Sequence, residues 1–152
     1  MKLAEALVER KAAQEKIEEL NDRLQRSALV QEGLAPAEDP AALLSELAEV
    51  SNRLESLIVA INRANLQATL PDGQTVTAAI ARRDVLRMRM GVIDALIRTV
   101  GAQHTRTRGA EIRLVSTLDL AQLQRGRDLL AKEYRELDTA IQSVNWTAEL
   151  AE

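Results

Sequence analysis

The sequence predicts a mainly α protein: an antiparallel four-helix bundle of long, coiled-coil-like helices carrying a minor β element, a short hairpin and one strand pair. Three observations lead there. Four stretches carry apolar residues at alternating steps of three and four, the spacing of a stripe on one helix face. Clear turn and cap signals separate them. The third observation is composition: the 152 residues hold no Phe, one Tyr and one Trp, so the core is built from Leu, Ile, Val and Ala. An aliphatic core of that kind suits helix-on-helix packing better than a sandwich of sheets.

The first helix is expected over residues 2–26, with the stripe Leu3, Ala6, Arg10, Ala13, Ile17, Leu20 and Leu24. Glu19 with Arg23, and Asp22 with Arg26, stand four apart in the favourable acid-first order; each pair adds a few tenths of a kcal/mol on the outer face. Residues 27–31 break the heptad and read as a short extended piece ended by Gly33. Asp39 followed by Pro40 is a helix start, an N-cap acceptor before a residue with no N–H to leave orphaned.

The second helix, 40–66, carries Leu43, Leu47, Val50, Leu54, Leu57, Ile61 and Ala64. Leu70-Pro-Asp-Gly-Gln74 is a turn, with Gly73 supplying a positive φ, and the threonines around it suggest a small hairpin. Thr77 is placed to cap a third helix, 78–100, that Gly101 ends. Residues 111–117 read as a strand expected to pair with 27–31. Ser116 and Asp119 are spaced for a capping box on the fourth helix, 119–145. Its stripe is Leu120, Leu123, Arg127, Leu130, Tyr134, Leu137, Ile141 and Val144. Trp146, just past that helix, is expected to plug the end of the bundle, with Asn145 as C-cap.

The length suits a single helical domain, 1–152, large enough to bury a core without disulfides or metal. The chain has no Cys, so thiolate nucleophiles and cysteine-ligated zinc are excluded, and a reducing cytoplasm fits. No apolar run approaches the ~20 residues of a membrane span. The charged, amphipathic N-terminus has no signal-peptide core. One histidine, His104, cannot supply the paired Glu-x-x-His motifs of a di-metal bundle. No nucleophile elbow and no Gly-rich phosphate loop is present. The sequence therefore predicts a protein that is not an enzyme and uses no cofactor.

What breaks the pattern is arginine. Arg10, Arg89 and Arg127 occupy stripe positions, and in the third helix Arg82 and Arg89 lie inside an apolar arc covering more than half the circumference. An arginine there must extend to water or find a carboxylate, such as Glu55 or Glu133. One reading is a polar layer fixing register and partner number; the other is an anion site. The wide arc implies a helix covered on two sides, by its own bundle and by a second copy of the chain. Gly91 faces away and admits a close neighbour. Arg10, Arg82, Met88, Arg89, Val92, Leu96 and Arg127 are the residues expected at such an interface or polar layer.

From Arg82 to Arg113 eight arginines stand against Asp84, Asp94 and Glu111, although the whole chain carries a formal charge of −3. Arginine suits phosphate, so Arg82, Arg83, Arg87, His104, Arg106, Arg108 and Arg113 form a candidate anion or nucleic-acid surface. Two features count against it. The two ends of the cluster lie ~30 Å apart by helical rise, and no aromatic residues interleave to stack on bases. Self-association is therefore the leading expectation and nucleic-acid binding the alternative.

Met1-Lys-Leu-Ala-Glu-Ala-Leu7, Ala28-Leu-Val-Gln-Glu-Gly33 with Pro36-Ala-Glu-Asp-Pro40, Ile61-Asn-Arg-Ala-Asn65, Asp84-Val-Leu86, Val115-Ser-Thr117 and Asn145-Trp146 span nearly the whole chain. In these motifs the sequence resembles the septicolysin family of small bacterial helical proteins. The resemblance implies a helical, oligomeric protein and brings no site residues with it. A membrane-active role in keeping with that name ranks last, because the helix stripes are needed for the core and a barrel-forming cytolysin would need strands.

Overall fold

In the computed structural model, residues 1–103 and 114–150 are described. They form four long helices: α1 (Leu3–Ser27), α2 (Pro40–Gln67), α3 (Val76–Gln103) and α4 (Leu120–Thr147). Every residue of the predicted stripes of α1, α2 and α4 is buried or half-buried. The 3–4 periodicity thus places all three inner faces, and the ends fall within three residues of expectation. None of these helices is long and apolar enough to cross a membrane.

The chain divides into two compact units, Met1–Thr69 with Val144–Glu152, and Leu70–Ser143. In the first, α1 and α2 run antiparallel. Lys16 Nζ lies 3.1 Å from Glu46 Oε1, and Arg53 reaches Glu9. Leu3, Ala6, Leu57, Ile61 and Ala64 form its core, with Leu7, Ala148 and Leu150 packed against them.

Asp39 caps α2 as expected, its Oδ1 accepting the Ala41 N–H at 3.0 Å with Pro40 in the first turn. Glu19 meets Arg23 at 3.0 Å. Arg23 does more than decorate the surface: its Nε also donates to both Glu38 oxygens at 3.1 Å. It thereby ties α1 to the segment leading into α2, a contact that helical spacing cannot show.

The β element is corrected. Among the described residues there is no strand. Residues 28–30 are irregular, with Leu29 89% exposed, and the part of 111–117 that is described, 114–117, is irregular too. Residues 111–113 lie outside the described residues.

The turn at Leu70 is present, closed by Gly73 N–H to Leu70 O and Leu70 N–H to Gln74 O, each 2.9 Å, with Gly73 at φ +86°. Thr69 and Thr75 on its flanks are isolated bridge residues, but no strand grows from it, because α3 begins two residues earlier than predicted. Thr75, not Thr77, is the cap; its Oγ1 accepts the Ala78 N–H at 3.2 Å. Val76, which would have extended a hairpin, belongs instead to the helix.

Three further expectations are revised at helix ends. Gly101 does not stop α3, which continues to Gln103 with no positive φ there. Asp119 caps α4 alone, accepting Ala121 N–H at 2.8 Å and Gln122 N–H at 3.3 Å, while Ser116 folds onto Leu118. Asn145 is not a C-cap, because α4 runs on to Thr147. It is buried, whereas Trp146 is 65% exposed and plugs nothing. Adjacent helical residues point ~100° apart, so burying one turns the other outward.

The segment after α4 does what the tryptophan was expected to do. Leu3 N–H donates to Ala148 O at 2.9 Å and Leu150 N–H to Met1 O at 3.0 Å, an isolated antiparallel bridge centred on Lys2 and Glu149. Lys2 Nζ lies 3.0 Å from Glu149 Oε1.

Candidate functional site

Within the second unit α3 carries two stripes. The first is Val76, Ala79, Arg83, Leu86, Met90, Ile93, Ile97 and Val100, all buried or half-buried. It faces inward, α4 running antiparallel to α3, as cross-helix contacts show. Arg83 Nη1 is 3.0 Å from Asp138 Oδ1, Arg82 Nε is 3.0 Å from Glu133 Oε1, and Arg127 Nε is 3.0 Å from Asp94 Oδ1. Arg87 Nη2 donates to the Tyr134 hydroxyl at 2.7 Å, its guanidinium carbon 5.6 Å from the ring centre.

The second stripe is Ala81, Val85, Met88, Val92, Ala95 and Thr99, again at steps of four and three, and every member is exposed. Two residues' offset places it ~160° around the helix from the first. Val85, Met88 and Val92 are 53%, 70% and 62% exposed, enough apolar side chain in one row to set this face apart from scattered surface residues. Asp84, Gly91 and Arg98 border it on one side, Arg82, Arg89 and Leu96 on the other. A Cβ built on Gly91 meets nothing within 4 Å.

The arginines therefore divide. Arg82, Arg83 and Arg127 are held by carboxylates of the facing helix and Arg87 by Tyr134. Glu133 is the partner that the sequence suggests for a stripe arginine, here taken by Arg82. Arg83, absent from the predicted stripe arginines, is the one that occupies the inward row. Arg89 is exposed, and no ion pair of it exists among the described residues. Arg10 sits half-buried on α1, its Nε buried with no hydrogen-bond partner, as is Arg83 Nε. Glu55 is exposed. His104, Arg106, Arg108 and Arg113 lie outside the described residues, so the structure brings no more than Arg82, Arg83 and Arg87 of the candidate anion surface together.

An open cleft of about 300 Å³ in the same unit is bordered by Asp72, Gln74, Arg82, Glu133 and Glu136. Arg82 holds Glu133, Gln74 holds the Asp72 carboxyl below its ordinary range, and Glu136 lies 3.7 Å from Lys132. Among the described residues no group of three or more His, Asp or Glu is placed to hold a metal ion.

Several carboxyls owe their shifts to cationic neighbours. Arg127 lowers Asp94, Arg23 lowers Glu38, Lys16 and Arg23 lower Glu19, and Lys2 lowers Glu149. A carboxyl that ionises more readily folded than unfolded contributes stability that is complete above its unfolded pKa. That contribution is lost as pH falls through the folded value. Urea midpoints are therefore expected to hold level from pH 7 to about 5 and decline below it. Glu38→Gln should flatten that decline; an acid limb unchanged in this variant would show that the Arg23 clamp contributes nothing.

The chain has known counterparts. A model of a family of unknown function, DUF6847, matches residues 10–150. The crystal structure of a functionally unknown conserved protein from Corynebacterium diphtheriae superposes with a TM-score of 0.93 at 40% identity, covering 99% of each chain. No curated protein matches. None of these findings carries the septicolysin name that the sequence resemblance suggested.

Proposed function

The chain belongs to the family of unknown function DUF6847, and from that premise we propose that it is a non-enzymatic, homo-oligomeric helical interaction protein of the cytoplasm whose subunit contact is the outward stripe of α3. One observation carries the reading: Val85, Met88 and Val92 stand exposed at heptad spacing on a helix whose opposite face already has its own core. A two-sided apolar helix buries its second face against another chain far more economically than against water. The cysteine-free composition supports the cytoplasmic placement.

Nucleic-acid binding is less well supported. Arg82 and Arg83 are already paired with the carboxylates of Glu133 and Asp138, which offset their charge toward a phosphate.

Sedimentation or light scattering tests the reading. The chain mass is 16.8 kDa, and the protein is expected at a multiple of it. Met88→Glu with Val92→Glu should reduce the particle to a single chain of unchanged helicity, because two carboxylates in one stripe cannot be desolvated without partners. A wild-type protein that stays at 16.8 kDa at high concentration removes the proposal.

A further inference from the structure

We infer that α3 binds a second copy of itself in parallel, in register, about a two-fold axis running along the outward stripe. The inference rests on the proposed self-association and adds which copy surface meets which, and in what direction.

Heptad labels follow uniquely from the step order. Val85, Val92 and Thr99 take position a, and Ala81, Met88 and Ala95 take position d. All three a residues are β-branched, the a-position half of the pattern that favours two parallel strands, while small or flexible Ala81, Met88 and Ala95 occupy d. The six layers span ~27 Å of helix.

The flanking positions agree. In a parallel pair each g residue faces the e residue five positions later on the other copy. Asp84 thus meets Arg89 of the second copy, twice by symmetry. Arg89 is exposed and, like Arg98 on the same helix, makes no ion pair among the described residues, and the Asp84 carboxylate makes a 3.5 Å contact to Arg83. One heptad on, Gly91 meets Leu96 of the second copy. The open space around Gly91 is what a leucine needs.

The antiparallel alternative sets a against d, with Met88 opposite Val92 and Val85 opposite Ala95. It pairs Asp84 with Arg98 of the second copy, but it places Arg89 directly against Arg89, a like-charge contact that the parallel register lacks, and it leaves the glycine facing another glycine. The Arg89 repulsion and the fit of Leu96 over Gly91 favour the parallel direction.

The chain contains no cysteine, so single-cysteine variants report direction without background. In the parallel register Val85→Cys and Val92→Cys each link to their own counterpart on mild oxidation, because equivalent a positions approach within disulfide range. In the antiparallel register neither links alone, Gly91→Cys links to itself, and Val85→Cys links only when mixed with Ala95→Cys.

Charge reversal gives a second readout. Arg89→Glu should weaken the dimer about tenfold, and adding Asp84→Arg to it should recover the affinity. Self-linking at Val85 and Val92 with that recovery is the expected result. The antiparallel linking pattern, or a double reversal that recovers nothing, overturns the register while leaving self-association intact. No linking by any variant, with one-chain mass throughout, overturns both.

Discussion

Replacing Ile61 by alanine is expected to lower the unfolding free energy by about 2–5 kcal/mol, the cost of removing most of a fully buried branched side chain and leaving a cavity. Ile61 is 1% exposed and central to the cluster formed with Leu3, Ala6, Leu57 and Ala64. The neighbours sit on two long helices and can collapse only partly into the space, which argues for the upper part of that range. The comparison is Leu66→Ala on the same helix. Leu66 is 62% exposed, so its loss should stay within about 0.5 kcal/mol. Urea denaturation of the two variants measures the difference. Equal effects would mean that the inner face of α2 is misassigned.

Ending the chain after Thr147 should be the second large effect, about 2–4 kcal/mol. The truncation removes Ala148 and Leu150 from the core of the first unit. It also leaves the Leu3 N–H and Met1 O, now bonded to Ala148 and Leu150, to find water beside an apolar surface. Leu150→Ala separates the packing part from the backbone part, since it keeps both hydrogen bonds. Thermal unfolding should rank wild type above Leu150→Ala, and that variant above the truncation. A truncation as stable as wild type would show that the tail adds nothing to the core.

How legible these features were in the sequence depended on the distance over which their causes act. The inner faces of α1, α2 and α4 could be read residue by residue, because a stripe such as Leu43, Leu47, Val50, Leu54, Leu57, Ile61 and Ala64 is a local consequence of 3.6 residues per turn. The Asp39–Pro40 start and the Gly73 turn were equally readable, each depending on a side chain and its immediate backbone. The caps of α3 and α4 cannot be chosen from sequence alone, because Thr75 and Thr77, or Ser116 and Asp119, carry equivalent acceptors. Which of them serves depends on where the helix begins.

The candidate site was half legible. An apolar arc wider than one interface needs was visible in α3, but the sequence could not tell its two rows apart. The periodicity places Arg82 and Arg89 in the middle of a single arc, whereas they border the outward row, and Arg83 occupies the inward one. The partners Asp138, Tyr134 and Asp94 lie 55, 47 and 33 positions from the arginines that hold them. No spacing rule selects one carboxylate at that separation.

The four helices and the inner faces of α1, α2 and α4 were determined by the sequence itself, since both arise from interactions within a few residues. Only tertiary structure decided which arginines are neutralised, that Trp146 stands exposed while Asn145 is buried, and that the 148–150 segment closes the core over Leu3. Each of these is a choice among nearly equal local options. The long-range contact that settles it exists only once distant helices have packed.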